Sequence, residues 1–513
     1  MADPSELAQQ VARGALFRGR HCVTGSGEPL EAAVGGTVLP AGGGSTVGWQ
    51  LCRSRQELVR SLHSGGSLGI GLGPLNLLNA KQAFSDSLKT TSFSLSLVVW
   101  ARQVATAMEV GQSHLLEGVA VPTSAAELEA FVALYGDGFV AAAEVGGECH
   151  GVFTFYAQSR EQARMVEREF EAGLGLGGLA LTPALVETVT TVARHAEVNV
   201  GFRMQVSGSR AQPPAEAASL IPFARDFAGL PLDHPALIGV RTRGYESVPA
   251  IGGAFQLVAT NRQLFSGEGP GEGLSERRER LEGLIHQMDW VAGTYRLYAV
   301  APDPSLAVQR AAARADLGAI DTCRAAYAAA ATARLEAPKL PSLAAGSPEL
   351  NVTLGDELLM GGNGGAPFTF PGRAEAIRQR RHLVEVALRT GSRVDQIRLR
   401  YAGEGDPLEA EVHGGGSGGD RGRLELGEGV VIRRIEALSG TRVDRLFLTS
   451  SDGQRIGGGG EAGDRPLDWT VPADSVVLGF SGRCGRELDG LRAMVARFGP
   501  LIWQPLEVAA EGP

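Results

Sequence analysis

Side chains able to make or break covalent bonds are scattered along this sequence rather than gathered. Cys22, Cys52, Cys149, Cys323 and Cys484 form no CxxC pair, and no histidine is spaced to complete a tetrahedral zinc site with them. The same scatter argues against a disulfide framework. His63, His114, His150, His195, His286 and His413 are isolated, and no serine lies in a nucleophile elbow. The Gly267–Gly273 loop lacks the Lys-Ser/Thr pair of a phosphate loop. The expectation is no catalytic residue, no metal and no cofactor. What remains is noncovalent chemistry. Gly485-Arg486-Glu487-Leu488-Asp489 offers carboxylates, which accept strong hydrogen bonds, beside a glycine backbone that a flat ligand can approach. Tyr135-Gly136-Asp137-Gly138-Phe139, followed after six residues by Gly146-Gly147, is the second conspicuous spacing.

The elements around that second run explain its shape. Ser124-Ala-Ala-Glu127 is a capping box, and Leu128, Phe131, Val132 and Tyr135 make one apolar helical face that Gly136 ends as a left-handed stop. After Gly136 the pattern is strand, and Gly146-Gly147 fall where a strand must bend or admit another backbone. Period-two alternation also marks Val198 to Ser207 and Phe93 to Val99, with Ser92, Ser94 and Ser96 on the second face of the latter; a weaker run follows Gly147 through Phe153 and Phe155. Between these strands lie two mixed segments, Ser67 to Thr90 and Ser159 to Glu197. The second carries Glu161, Arg164, Glu167, Arg168, Glu169 and Glu171, and each segment is expected to fold as small helices. Helical patterns follow at Arg277 to Trp290 and Pro304 to Leu335, with a strand-like interlude at Gly293-Thr294-Tyr295.

A linker is expected over 336–350, where proline and glycine interrupt both patterns. Beyond it, Gly391-Ser-Arg-Val-Asp395 and Gly440-Thr-Arg-Val-Asp444 repeat at an interval of 49 residues, which predicts stacked equivalent units. Gly-rich turns at Gly361–Gly365, His413–Asp420 and Gly457–Gly460 suit a prism or barrel of short strands.

The 48 basic and 57 acidic residues leave a formal charge of −9, which argues against nucleic acid or a polybasic membrane patch as partner. Positive charge is carried almost wholly by arginine, since Lys81, Lys89 and Lys339 are the only lysines. The N-terminus lacks a basic region followed by an apolar core, and no stretch of about 20 apolar residues occurs. A soluble product without signal peptide or transmembrane helix is expected.

Residues 135–147 resemble the signature of the membrane-attack-complex/perforin (MACPF) superfamily: Tyr or Trp, Gly, Thr or Ser, His, Phe or Tyr, six residues, Gly-Gly. Tyr135, Gly136, Phe139, Gly146 and Gly147 match, while Asp137 and Gly138 depart from the inner positions. The resemblance spans roughly residues 20 to 335 in its order of strands and inter-strand segments. It implies an α+β fold in which a bent antiparallel sheet is flanked by two helical clusters that unfurl into β-hairpins. Such strands can enter a bilayer only by joining many subunits into a closed barrel, because every backbone polar group there needs a partner. A spanning strand takes about 9 to 11 residues. At roughly 24 and 39 residues the two segments are long enough for two strands each once neighbouring residues are recruited. Gly146 and Gly147 are then the pivot.

Residues of about 352 to 507 resemble jacalin-related lectins. Gly361-Gly-Asn-Gly-Gly365, the His413 turn, the two Gly-x-Arg-Val-Asp repeats, Gly479-Phe-Ser-Gly482 and the Gly-x-x-x-Asp loop at 485–489 all stand in family order. The resemblance implies an all-β prism and assigns Gly365, Gly485, Arg486, Glu487 and Asp489 as sugar contacts. The expected molecule is then a MACPF-like domain over 1–335, a linker over 336–350 and a jacalin-like lectin domain over 351–513. Its partners would be cell-surface glycans, a target lipid membrane and further copies of itself in a ring, the monomer being the form in solution. It would be released or secreted and act at the target cell membrane. A non-lytic glycan-binding adhesin or assembly protein that uses the first domain as a scaffold is the alternative.

Overall fold

The computed structural model describes residues 4–23, 29–53, 57–58, 61–62, 88, 94–156, 160–195, 199–266, 272–370, 376–377, 380–403 and 410–506. Most of the Ser67–Thr90 segment, together with Ser92, Phe93 and Val198, lies outside the described residues. The chain divides into two compact units, 1–283 with 315–339, and 284–314 with 340–513.

The first unit is built on one antiparallel sheet of eight strands: β1 (Gly19–Arg20), β2 (Val34–Ala41), β3 (Gly44–Cys52), β4 (Leu95–Leu115), β5 (Gly138–Tyr156), β6 (Gly177–Gly178), β7 (Asn199–Ser207) and β8 (Ala236–Gly244). Two strands, β4 and β5, run the full length of the sheet. Along β4, β3 pairs with residues 96–104 and β2 with 107–115; along β5, β8 pairs with 138–146 and β7 with 148–156. The body of the sheet is therefore four strands wide, its two outer tracks each made of two pieces, with β6 added outside β3 at Trp49 and Gln50 and β1 paired with β5 at Gly138 and Phe139. The junction on β5 falls at Gly146-Gly147, opposite a register shift between Val104 and Thr106 of β4.

Both faces of the sheet are covered. Helices α1 (Pro4–Ala15) and α2 (Ala125–Tyr135) precede β5 in the chain. The second inter-strand segment forms α3 (Arg160–Gly173), the short β6 and α4 (Pro183–His195), and α5 (Leu220–Phe227) follows β7. Val166 and Phe170 of α3, Leu185 and Val192 of α4, and Leu220 and Phe227 of α5 pack with Leu97, Val99, Ala101 and Phe153 of the sheet. Alternate residues of a strand point to opposite sides. Val98 and Val152 accordingly join Cys52, Leu58, Leu62 and Leu88 in a separate cluster. The charged residues expected in the 159–197 segment face water where their side chains are described: Arg164, Arg168, Glu169 and Glu171 are exposed, and Arg53 bridges Glu167 and Glu171.

Helices α6 (Gln256–Ser266), α7 (Leu274–Leu297) and α8 (Pro304–Ala329) follow, and α7 and α8 contribute residues to both units. Two expectations are corrected here. Gly293-Thr294-Tyr295 is not strand-like but lies inside α7, with Thr294 donating its hydroxyl to Trp290 O (3.0 Å) and both Thr294 and Tyr295 buried. Burial and that local bond override the strand preference of a β-branched and an aromatic residue. The last helix ends at Ala329 rather than Leu335. Asn261 holds the chain beyond it, donating to Ala331 O and Ala333 O and accepting from Leu335 N–H.

In the second unit a short pair, β9 (Ser347–Glu349) with β22 (Ile502–Gln504), accompanies three four-stranded antiparallel sheets. The first sheet contains β10 (Val352–Gly361), β11 (Ala366–Phe368), β20 (Ser475–Cys484) and β21 (Leu488–Phe498). The second contains β12 (His382–Thr390), β13 (Val394–Ala402), β14 (Glu411–Gly414) and β15 (Gly419–Glu425), and the third β16 (Ile432–Ser439), β17 (Val443–Ser450), β18 (Arg455–Gly459) and β19 (Arg465–Thr470). Each sheet touches the other two, so the sheets form a three-sided prism around Leu388, Ile397, Leu399, Leu446, Leu448, Phe480 and Leu491. The 49-residue repeats are not stacked units: each is the turn and second strand of a central hairpin, in two different sheets.

Candidate functional site

The three central hairpins of the prism, β12–β13, β16–β17 and β20–β21, turn through the same five-residue frame. Gly391-Ser-Arg-Val-Asp395, Gly440-Thr-Arg-Val-Asp444 and Gly485-Arg-Glu-Leu-Asp489 each begin with glycine and end with aspartate. In each turn the glycine N–H donates to the third residue's carbonyl: Gly391 to Arg393 (2.9 Å), Gly440 to Arg442 (3.0 Å) and Gly485 to Glu487 (3.0 Å). In each, too, the aspartate's backbone carbonyl accepts from a neighbouring Gly-rich loop: from Gly362 to Asp489 (2.6 Å), from Gly415 to Asp395 (3.0 Å) and from Gly460 to Asp444 (2.9 Å). Sequence reading assigns a binding role to Asp489 and places Asp395 and Asp444 only in a structural repeat. The shared Gly-x-x-x-Asp spacing was the signal that could have found them.

Around Asp489 the expected residues converge. A β-carbon at Gly364 would come within 2.7 Å of Asp489 Oδ1, and one at Gly365, whose φ is +67°, within 2.5 Å of Oδ2. Only glycine leaves this carboxylate reachable there. Arg483 holds the loop in place, donating Nε to Gly364 O (3.0 Å) and Nη2 to Gly365 O (2.7 Å). Gly485 and Arg486 are exposed at the turn. Glu487 is turned to two cations, accepting from Arg393 Nη1 (2.9 Å) and Arg442 Nη1 (2.5 Å). The Arg393 hydrogen bond, seconded by Arg442, holds the Glu487 carboxyl below the usual carboxylate range. Arg442 Nε also lies 3.5 Å from Asp489 Oδ1, and Arg393 Nε 3.5 Å from Asp444 Oδ1.

The family model of the jacalin-like lectin domain matches residues 359–494. That stretch is a jacalin-like lectin domain. All three Gly-x-x-x-Asp turns fall within it. Among solved structures, wild-type Malaysian banana lectin is 22% identical, covering 29% of this chain and 99% of its own at a TM-score of 0.24. AcmJRL, a mannose-binding jacalin-related lectin from Ananas comosus, is 21% identical over 28% of this chain and 96% of its own, TM-score 0.24. Lamprey immune protein is 19% identical over 28% of this chain and 44% of its own, TM-score 0.23. No curated protein matches the chain.

The signature residues of the first unit occupy a different kind of site. The capping box is present, with the Ser124 hydroxyl accepting from Glu127 N–H and the Glu127 carboxylate from Ser124 N–H, and Leu128, Phe131 and Val132 are buried. Gly136 ends α2 at φ 80°, ψ −170°, which corrects the expected left-handed helical stop: the chain leaves directly into an extended path against Arg20. Tyr135 O accepts from the Tyr245 hydroxyl (3.0 Å), and Phe139 packs fully buried against that ring. Asp137, at a position where the MACPF signature differs, is a fully buried carboxylate that accepts from Cys22 N–H (2.6 Å) and the Tyr327 hydroxyl (2.5 Å). At Gly146 a β-carbon would collide with Gln103 O, and at Gly147 it would come 2.5 Å from Leu232. Both glycines are places of close approach. Among the described residues no group of histidine, cysteine or carboxylate side chains is arranged to hold a metal, and no helix is long and apolar enough to cross a membrane.

Proposed function

We propose that this protein binds cell-surface glycans through its lectin domain, assembles into a ring on the target membrane and permeabilises it by inserting β-hairpins. The observation that carries the capture step is the Asp489 carboxylate framed by Gly364 and Gly365, a charged acceptor beside open backbone. One site of this kind binds a sugar only at about millimolar strength, and a ring of copies raises the effective affinity by avidity. Insertion is supported by the long strands β4 and β5 and by the α3–β6–α4 segment, which leaves and rejoins the sheet between β5 and β7. Strands of 21 and 19 residues exceed what a bilayer requires, about 9 to 11. All steps are noncovalent, and the protein is read as no enzyme. It would act at the target cell membrane after release or secretion.

Dye release from vesicles carrying the glycans of a susceptible cell tests the reading, with wild type and Asp489→Ala compared side by side. Leakage with wild type that falls in the variant is the expected result. Binding without leakage from any such vesicle would leave the adhesin reading, which the exposed charges of α3 favour.

A further inference from the structure

Across the three turns of the prism five charged side chains alternate in sign: Asp444, Arg393, Glu487, Arg442 and Asp489. Both arginines donate to the same oxygen, Glu487 Oε2, at 2.9 and 2.5 Å, whereas each stands 3.5 Å from its aspartate. Arg442 is therefore hydrogen-bonded to Glu487 and paired with Asp489 by charge alone. Among the described residues no hydrogen bond is made to the Asp489 carboxylate, which leaves its oxygens to an incoming ligand. Arg442 is the nearest competitor for them. A guanidinium can bond a carboxylate through two parallel N–H···O contacts at about 2.8 Å, and Arg442, 43% exposed on its turn, has only to close from 3.5 Å to do so. That pair would occupy the acceptors that a sugar's hydroxyls need. Glu487 opposes it, because both carboxylates draw on one guanidinium and the hydrogen bond goes to Glu487.

We propose that Glu487 is a positioning residue for sugar binding: it holds Arg442 off Asp489 and so keeps that carboxylate free to accept the sugar's hydroxyls. In this role Glu487 acts on the ligand through Arg442 rather than by contact. The proposal rests on the glycan-binding reading above. Neutralising Glu487 releases Arg442 onto Asp489 and weakens binding. Neutralising Arg442 as well removes the competitor and restores it.

The test uses the full chain titrated with methyl α-mannoside and methyl α-galactoside to about 20 mM, read by the backbone amide signals of Gly364, Gly365 and Gly485. Wild type is compared with Glu487→Gln, Arg442→Gln, the double variant and Asp489→Asn, with melting temperature as the check on folding. Glu487→Gln is expected to weaken binding about threefold to fivefold, the most that a solvent-screened ion pair supplies. Arg442→Gln and the double variant are expected to bind as tightly as wild type or more so. Should Glu487→Gln fold poorly, Glu487→Asp, which keeps the charge but shortens the reach to Arg442, takes its place with the same expected direction. A double variant as weak as Glu487→Gln would mean that Glu487 touches the sugar itself and would overturn the positioning role, as would undiminished affinity in Glu487→Gln. No saturable shift in wild type, or an Asp489→Asn variant that binds as wild type does, would overturn the sugar site on which the proposal rests.

Discussion

Glu487 shows how one side chain organises the end of the prism. Its carboxylate joins two arginines from two other turns, and both arginines in turn approach an aspartate. Because the folded-state value lies below the ordinary one, the stability this group contributes is complete above the ordinary glutamate range and is lost as pH falls through the lowered value. Glu487→Gln should therefore melt below wild type at pH 7, and the gap should close near pH 3. The arginines are half-exposed and screened by solvent, so the neutral-pH gap is expected to be about 1–3 °C in a thermal scan. A gap that persists at pH 3 would mean that packing, not charge, accounts for the difference. Asp137 is the matching case in the first unit. As a departure from a signature it looked like a weakness, yet its two oxygens fasten the chain at Cys22 and the α8 tyrosine Tyr327 to the end of α2.

At the scale of elements, the central strands are joined by a buried ionic cluster beside the Gly146-Gly147 junction. Arg102 of β4 donates to Glu144 (2.8 Å) of β5 and to Ile238 O (2.8 Å) of β8, and lies 3.5 Å from Glu148, all three side chains being at most 5% exposed. Removing the cation leaves two buried carboxylates without it, so Arg102→Met should lower stability by about 3–5 kcal/mol. Urea unfolding followed by fluorescence of Trp49 and Trp100 measures this, and a loss below about 1 kcal/mol would show that water reaches the pair. The cluster was invisible in the sequence, since Arg102, Glu144 and Glu148 become neighbours only through the β4–β5 register. Elements with a local cause were legible: the capping box, the apolar face of α2 and the alternation along β7 and β5 depend on residues within one turn or one strand. Strand β2 went unread because Gly35, Gly36 and Pro40 suppress its strand signal. Its pairing with β4 supplies what its own residues lack, and proline is tolerated because the strand lies at an edge. Asp395 and Asp444 were passed over for a related reason. All three turns share only a glycine and an aspartate, so the likeness of the repeated pair to the Gly485–Asp489 turn appears once the hairpins stand around one prism.

At the scale of the molecule, the proposed activity requires the first unit to release what it has packed away. The α3–β6–α4 segment buries Val166, Phe170, Leu185 and Val192 against the sheet, and each such side chain is worth about 1.5–3 kcal/mol against exposure to water. Release into water is therefore strongly opposed, and an apolar membrane or a neighbouring copy must receive those side chains. Between the two helices β6 is clasped to the sheet edge by two pairs, Gln50 with Gly177 and Trp49 with Gly178. Opening must break this clasp first. A β-carbon at Gly177 would stand 3.9 Å from Gln50 Cβ, the separation found across a disulfide. The double variant Gln50→Cys, Gly177→Cys should close on oxidation. Cys52 and Cys149 should not compete, because burial pushes both thiols up to about 12 and keeps them protonated. If the segment must leave the sheet, the oxidised variant binds glycan vesicles as the reduced one does but releases no dye, and reduction restores release. Equal leakage from the oxidised and reduced forms would exclude this segment as the inserting element; binding lost in both would trace the defect to assembly or capture rather than to the clasp.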